Sequence, residues 1–340
     1  MNTKQLIKQK VKIFLSLLLA GLLISLSSCK KSETTYNGKI GVLFPKEVHS
    51  SRWDNELVSV TKALEEKGFQ VFPYSVENTN EMINYLEKFE KDGIDVLVIA
   101  TVNTLSAKIA TALENLYAKK TYIICYDRMQ QNTDAVDVFI TASSYLIGGV
   151  QADALMNLPK GSTIEIVGGD ALDKNARELY EGLWSKIGIK IHSGEWTIPS
   201  GKTTFEQIAL DTWSKSAAAK RFRDILDTYY KKGVFPDAVV AANDRIAQGI
   251  ISVLEEMKVE NYPIITGQDN IASSRELIKA GKQTMSVNKN PEKYIETAVA
   301  TVVNAVNNKP IESSALVSNG AKQVPTIHID ATPVYAADIQ

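Results

Sequence analysis

Two patterns of hydrophobic and polar positions follow each other in turn along this chain. Short apolar runs such as 39–44 and 95–100 show no alternation with polar residues and predict strands buried on both faces. Between them lie stretches such as 79–91, whose apolar residues recur at helical spacing and which ends just before Gly93. Strands separated by helices in this way are typical of a parallel sheet that is covered on both sides.

The predicted strands and helices form two successive series, one in each half of the chain. In the first half we predict strands over 39–44, 69–74, 95–100, 121–126 and 136–141, and helices over 53–67, 79–91 and 105–117. In the second half we predict helices over 146–158, 175–187, 204–230 (as one helix or as a broken one) and 245–257, and strands over 163–167, 190–196, 238–242 and 263–266. Two such runs predict an α/β fold with two doubly wound parallel-sheet lobes.

The N-terminal segment has the pattern of an export signal. Its basic start carries Lys4, Lys8, Lys10 and Lys12 without an acid, and the apolar run over 13–26 is too short to span a bilayer comfortably. The letters LSSC at 26–29 resemble a bacterial lipobox, in which the cysteine is acylated. We therefore predict a lipoprotein signal peptide over 1–28, lipidation of Cys29, and a polar tether over 29–37 that is anchored to the membrane.

Charge and cysteine usage exclude several other classes of protein. The net charge is −1, and the chain outside the signal segment is more acidic still and has no basic block, which argues against nucleic acid as a partner. Cys29 and Cys125 are its two cysteines, so a disulfide framework or a Cys/His metal cluster is not expected. Cys125 lies in an apolar run and is predicted to be a buried, inert thiol. We expect no metal and no cofactor.

Polar and aromatic residues gather where the predicted strands end. Ligands of open parallel sheets bind beyond the carboxyl ends of the strands, so these residues are the candidate ligand-binding set. They are Arg52, Trp53, Asn103, Asp127, Arg128, Asn175, Asn243, Asp269 and Lys289. Each hydroxyl of a sugar both donates and accepts, which suits carboxylates, amides and guanidinium groups, while an aromatic ring can cover its apolar face.

Several residues at the strand ends also have a purely structural explanation. An Asp or Asn after a strand often caps the next helix, which could account for Asn103, Asp173 and Asp244. Trp53 at a helix start could belong to the core, and Lys289 could be a linker residue. Asp127-Arg128 is explained less well in this way, because arginine does not cap helices.

At these residues the chain resembles a known family, the type I periplasmic sugar-binding proteins of ABC importers. The xylose-binding and multiple-sugar-binding receptors are the nearest branch. The similarity covers about residues 39 to 327, in the order of the family. The matching strings are SRW at 51–53, DVLVI at 95–99, YDRM at 126–129, NA at 175–176, DAVVAAND at 237–244, TGQD at 266–269, QTMSVNK at 283–289 and NGAKQVP at 319–325.

The resemblance implies a two-lobed receptor whose lobes are joined by a three-stranded hinge. It implies hinge crossings near 142–144, 286–290 and 308–318, with lobe 1 formed by 38–142 and 289–309 and lobe 2 by 143–288 and 310–340. Arg52, Asp127 and Arg128 would hold sugar hydroxyls from lobe 1, and Asn175, Asn243 and Asp269 from lobe 2. Lys289 would lie at a crossing, and Trp53 would offer an aromatic face.

The resemblance also implies partners and a location. The ligand would be a monosaccharide, a xylose-like pentose or a related sugar, and the protein would be a monomer in the periplasm or cell envelope. An ABC permease would receive the closed form; the alternative is a sugar or polyol sensor that presents it to a membrane sensor kinase or chemoreceptor.

Replacement of Asp127 or Asp269 with Ala is expected to abolish binding and to leave unfolding of the ligand-free protein nearly unchanged.

One departure from the family concerns the second aromatic residue. Xylose-binding members carry a further Trp shortly after the match to Glu195-Trp196, whereas the loop 197–202 has no aromatic residue. One face of the sugar would then be less covered, or Trp196 or Phe205 would substitute. The departure puts xylose itself in doubt.

Sequence motifs do not favour an enzyme. The three histidines, His49, His192 and His328, do not pair with a nucleophile at a strand end, and the chain has no nucleophile elbow, phosphate loop or dinucleotide fingerprint. A paired-carboxylate glycosidase built on Asp127 and Asp269 is the enzyme alternative. We predict that the protein binds its ligand without transforming it.

Overall fold

The computed structural model describes residues 37–46 and 51–339. The predicted signal peptide, Cys29 and most of the tether lie outside these residues. Within the described part, no helix is both long enough and apolar enough to cross a membrane.

Twelve strands and ten α-helices occur in the described residues. The strands are β1 (Lys39–Pro45), β2 (Gln70–Val76), β3 (Val96–Ile99), β4 (Tyr122–Tyr126), β5 (Val138–Thr141), β6 (Ile164–Val167), β7 (Ala238–Ala241), β8 (Ile264–Ile265), β9 (Ser286–Asn288), β10 (Ala315–Ser318), β11 (Gln323–His328) and β12 (Thr332–Val334). The helices are α1 (Ser51–Glu66), α2 (Thr79–Asp92), α3 (Ala107–Ala118), α4 (Ser144–Asp153), α5 (Lys174–His192), α6 (Phe205–Ile208), α7 (Lys215–Tyr229), α8 (Asp244–Glu256), α9 (Ala272–Lys279) and α10 (Pro291–Val306).

Lobe 1 is built on a seven-stranded sheet with the order β10-β11-β5-β4-β3-β1-β2. Its strands pair in parallel except for β10, which is antiparallel to β11. Strand β3 shows why this sheet needs helices on both faces: Val96 and Val98 belong to one apolar cluster, and Leu97 and Ile99 to another. The apolar run without alternation is thus explained by burial on both sides.

Lobe 2 has a smaller parallel sheet with the order β6-β7-β8, and next to it β9 pairs antiparallel with β12. Its first two helices pack unusually closely. A Cβ atom on Gly148 of α4 would lie 1.9 Å from the Leu179 carbonyl oxygen, and one on Gly182 of α5 would lie 1.8 Å from that of Tyr145. Glycine at both positions therefore allows backbone contact between α4 and α5, the helix that carries Asn175.

One predicted strand of lobe 2 is wrong, and one predicted helix is divided in two. The strand predicted over 190–196 does not form, because α5 continues to His192. Leu183, Ile187 and Ile191 recur every four residues and pack into one apolar cluster, so helical periodicity outweighs the local β propensity. The helix predicted over 204–230 is broken into α6 and α7, and the Ser214 side chain caps α7 by accepting a hydrogen bond from the Ala217 N–H.

The predicted assignment of the C-terminal tail to lobe 2 is wrong for residues 315–328. Strand β11 pairs in parallel with β5, with Thr326 opposite Phe139 and Ile327 opposite Ile140, and β10 extends the same sheet. The segment belongs to lobe 1 because β11 forms hydrogen bonds with backbone groups of β5 and because Val324 is buried there. Helix α10 packs on α1 in lobe 1, and β12 pairs with β9. The boundaries near residues 142 and 289 remain our proposal.

Candidate ligand-binding site

One cavity lies between the lobes at the carboxyl ends of their parallel strands. Its lining from lobe 1 consists of Arg52, Trp53, Asp127 and Arg128, and Lys289 follows β9. Its lining from lobe 2 consists of Ser144, Asp173, Asn175, Trp213, Asn243, Arg245, Gln268, Asp269 and Ile271. The free volume between these side chains is about 30 Å³, space for roughly two water molecules. The structure thus brings together eight of the nine predicted residues.

Asp127 is the centre of the cavity's charge network. Arg52 Nη1 lies 2.9 Å from its Oδ2, Lys289 Nζ lies 3.0 Å from its carboxylate, and the Tyr294 hydroxyl donates to its Oδ1 at 2.9 Å. The side chain is 2 % exposed, so these partners replace water almost completely. Asp127 has a φ of 61°, a left-handed conformation that costs free energy outside glycine and is held here by these contacts.

The same network sets the protonation of Asp127. Burial alone would raise its pKa, but the charges of Arg52 and Lys289 and the hydrogen bonds from Lys289 and Tyr294 outweigh burial and hold the pKa well below its ordinary value. Burial likewise opposes the charge of Arg52, yet Asp127, Glu56 and Asp269 raise the pKa of its guanidinium. Both groups are therefore charged at neutral pH, and the cavity presents fixed charges to a ligand.

Asp269 faces Asp127 from the other lobe. Its Oδ1 lies 3.6 Å from Arg52 Nη1 and 3.9 Å from Lys289 Nζ, which is too far for a hydrogen bond to either. Within the described residues this buried oxygen accepts no hydrogen bond. Asp269 also has a positive φ, of 92°. A buried carboxylate oxygen that lacks a donor is suited to accept one from a ligand hydroxyl.

Direct polar contacts join the lobes across the cleft. Arg128 Nε lies 3.0 Å from Asp173 Oδ2, and the Asn175 side chain donates to the Asp127 carbonyl oxygen at 2.6 Å. The Thr104 hydroxyl donates to the Leu172 carbonyl oxygen at 3.1 Å. Burial raises the pKa of Asp173, while the charge of Arg128 works in the opposite direction. The structure is therefore that of closed lobes, with polar groups paired across the cleft.

Trp53 lies under the arginines of the site. Its side chain is 1 % exposed and packs edge-to-face on Phe44. The guanidinium carbon of Arg52 lies 4.5 Å from the centroid of its ring, and that of Arg128 lies 5.2 Å from it. Cation–π attraction to this ring helps to position both arginines.

The aromatic residue that sequence reasoning missed is Trp213. It lines the cavity, and its indole N–H donates to Asp173 Oδ2 at 3.2 Å. The proposed substitutes are wrong, because Trp196 and Phe205 are buried in apolar clusters of lobe 2. Trp213 lies inside the helix predicted over 204–230 and outside the strings that match the family, so the sequence offered no signal for it. Gly169 leaves room for this ring, because a Cβ atom there would lie 2.3 Å from it.

Of the three residues proposed as helix caps, Asp173 is one, whereas Ser106 rather than Asn103 caps α3 and Asn243 rather than Asp244 caps α8. Asn103 does not line the cavity, and its side chain accepts a hydrogen bond from the Leu105 N–H at 3.0 Å, so its placement in the site was wrong. Asn243 caps α8 by accepting from the Ile246 N–H at 2.9 Å and also lines the cavity. Asp173 combines both functions too, because it caps α5 and pairs with Arg128.

Asp244 is a buried acid behind the cavity. Its carboxylate accepts hydrogen bonds from the Ile271 N–H at 3.0 Å and from the Gln283 side chain at 2.8 Å. Burial, and then the negative charge of Asp269, raises the pKa of Asp244 to about 7. This carboxyl group therefore changes its protonation near neutral pH.

Replacement of Asp244 with Asn is expected to weaken the pH dependence of stability. The folded-state pKa of Asp244 lies above its unfolded value of about 3.9, so the stabilising effect of its proton is complete below about pH 4 and is lost as the pH rises to 7. In urea unfolding between pH 5 and 7, the wild type should lose about 1 kcal/mol per pH unit relative to the variant. Parallel pH profiles of the two proteins would contradict this assignment.

The fold and the site together define a two-lobed binding protein with a polar cleft. The chain belongs to the periplasmic binding protein domain family, whose sequence pattern matches residues 40–310. The family resemblance predicted from the sequence, and the predicted two-lobed α/β fold class, are confirmed.

Individual relatives cover almost the whole chain. It is 27% identical over 310 residues to the multiple sugar-binding periplasmic receptor ChvE of Rhizobium radiobacter, covering 87% of this chain and 86% of that protein. It is also 27% identical over 318 residues to the D-xylose-binding periplasmic protein of Escherichia coli, covering 93% and 91%. A solved ABC transporter solute-binding protein from Clostridium phytofermentans, with bound β-D-glucose, aligns with a TM-score of 0.83 and 28% identity, covering 88% and 94%.

Proposed function

We propose that this protein is an exported receptor that binds a monosaccharide between its lobes and delivers it to an ABC sugar importer. The observation that carries the proposal is the meeting of charged and amide side chains from both lobes in one cavity. Asp127, Arg52 and Arg128 come from lobe 1, and Asn175 and Asp269 from lobe 2. These groups match the hydroxyls of a sugar, which donate and accept at every position.

The contacts across the cleft describe how binding couples to closure. A free volume of about 30 Å³ is too small for a sugar ring, so the lobes must separate and the Arg128–Asp173 and Asn175–Asp127 contacts must break before the ligand enters. On closure, sugar hydroxyls take over part of the pairing of these groups. A sugar then favours the closed state because it contacts both lobes at once.

A pyranose with an apolar face fits the aromatic arrangement of the cavity. Trp213 borders the cavity from lobe 2 and supplies the second aromatic side chain of the site. Relatives named for xylose and for multiple sugars, together with a glucose-bound structure, support pyranoses as the ligand class. We propose a xylose-like pentose or a hexose of similar shape.

A thermal-shift panel of D-xylose, D-glucose, D-galactose, L-arabinose and myo-inositol tests the ligand class. At 100 times its dissociation constant the cognate sugar should stabilise residues 37–340 by about 2.7 kcal/mol and raise the melting temperature. Mass spectrometry after incubation should return the sugar unchanged, which separates a receptor from a glycosidase. If none of these compounds raises the melting temperature, the proposed function is wrong.

Export and lipid anchoring are part of the proposal and rest on the N-terminal sequence. The basic start, the apolar run and the LSSC letters at 26–29 support cleavage before Cys29 and its acylation. In the native host, Cys29→Ser is expected to move the protein from the membrane fraction to the soluble fraction. Continued sedimentation of this variant with membranes would contradict lipidation at Cys29.

A further inference from the structure

A second cavity adjoins the candidate site, and we call it the outer cavity and the candidate site the inner cavity. It has a free volume of about 350 Å³, and its walls come from both lobes, with Glu77 and Val102 on one side and Asp170 on the other. Its solvent end is marked by the half-exposed pair Lys46–Glu77, whose charged atoms lie 3.4 Å apart. The outer cavity has the size of a ligand site.

Three side chains line both cavities, Arg128, Trp213 and Arg245. Trp213 is held in place by contacts on both sides. Its indole N–H is bound to Asp173 on the inner side, and the ring lies against the backbone of Gly169, where a Cβ atom would be 2.3 Å away. The two cavities are therefore neighbours that share one fixed aromatic wall.

The outer cavity has the chemistry of the inner one. Glu77 and Asp170 supply carboxylates, Arg245 supplies a guanidinium group, and Trp213 supplies an aromatic surface. Carboxylates and guanidinium groups bind adjacent hydroxyls, and an aromatic ring covers an apolar sugar face. Pro45, Val76 and Val102 add an apolar part to its wall.

We propose that the cleft accepts a disaccharide, with one ring in the inner cavity and the second, glycosidically linked ring in the outer cavity. Trp213 then borders both rings, so that the inner ring determines recognition and the outer ring adds affinity. This inference rests on the proposed function, because the first ring occupies the monosaccharide site. It extends the ligand class from free monosaccharides to their β- or α-linked dimers.

Calorimetric titration of residues 37–340 with matched sugars tests the inference. The pairs are D-xylose with xylobiose, and D-glucose with cellobiose and with maltose. At least one disaccharide should bind about tenfold more tightly than its monosaccharide. Val102→Trp fills the outer cavity and should lower the affinity for that disaccharide about tenfold, with less than about a twofold change for the monosaccharide. Val102→Ala is the matched control and should preserve the preference for the disaccharide.

The possible outcomes separate this inference from the proposed function. Binding of monosaccharides without any disaccharide, or an equal loss of both ligands in Val102→Trp, overturns the inference and leaves the monosaccharide receptor standing. Failure of every sugar to bind overturns both. If circular dichroism shows that Val102→Trp does not fold, Glu77→Gln serves instead, because this half-exposed residue lines the outer cavity alone and should affect the disaccharide selectively.

Discussion

Asp127→Ala is expected to lower the free energy of unfolding of the ligand-free protein by about 3–5 kcal/mol and to abolish sugar binding. The variant leaves Lys289 buried without its carboxylate partner and removes one of the two carboxylates paired with Arg52, which keeps Glu56 at 2.8 Å. It also removes the acceptor of the Tyr294 hydroxyl. Urea unfolding measures the loss of stability, and calorimetric titration measures the loss of binding. The sequence-based expectation that this variant unfolds like the wild type is therefore replaced.

Two controls show whether the loss at Asp127 comes from uncompensated buried charge. Asp224→Ala removes the carboxylate of an exposed ion pair with Lys220 in lobe 2 and should change stability by about 0.5 kcal/mol or less. Adding Lys289→Met to Asp127→Ala removes the cation that the single variant leaves without a paired carboxylate and should recover part of the stability. A double variant that is less stable than Asp127→Ala would argue that packing, rather than charge, explains the effect.

Asp269→Asn is expected to weaken binding of the cognate sugar by about 10- to 100-fold while the protein stays folded. The Oδ1 atom of Asp269 is buried and accepts no hydrogen bond within the described residues, so a ligand hydroxyl is its natural donor. Asparagine keeps the shape but removes the charge that strengthens this bond. Asp269 is also less constrained than Asp127, because its nearest cationic atoms lie 3.6 and 3.9 Å away.

The matched control for Asp269→Asn is Asp153→Asn. Asp153 belongs to the same lobe and forms an exposed ion pair with Lys186 at 2.7 Å, away from the cleft. Its replacement should leave sugar affinity within about twofold of the wild type. Equal affinity of Asp269→Asn and Asp153→Asn, with both proteins folded, would remove Asp269 from the proposed sugar contacts.

The pattern of apolar runs and the strand-end rule predict most of the site from the sequence alone. Parallel strands have their carboxyl ends at one edge of a sheet, so residues that follow them meet there. Because the order of strands and helices can be predicted from local sequence, this rule correctly placed four residues at the cavity: Arg52, Asp127, Arg128 and Lys289. Asn103 shows the limit of this rule, because an Asn after a strand can equally cap a turn. Whether such an Asn binds ligand or caps a turn depends on whether its side chain faces the other lobe.

By itself, the sequence determined the alternation of strands and helices, the division into two α/β lobes and the polar character of their facing edges, because these depend on periodicity and connection order. Only the tertiary structure decided that 315–328 joins the sheet of lobe 1 and that Trp213 lines the cleft. It also decided that Asp127 is locked in a buried charge network whereas Asp269 is left with an unbonded oxygen. Each of these depends on contacts between residues far apart in the chain, whose geometry no local pattern encodes.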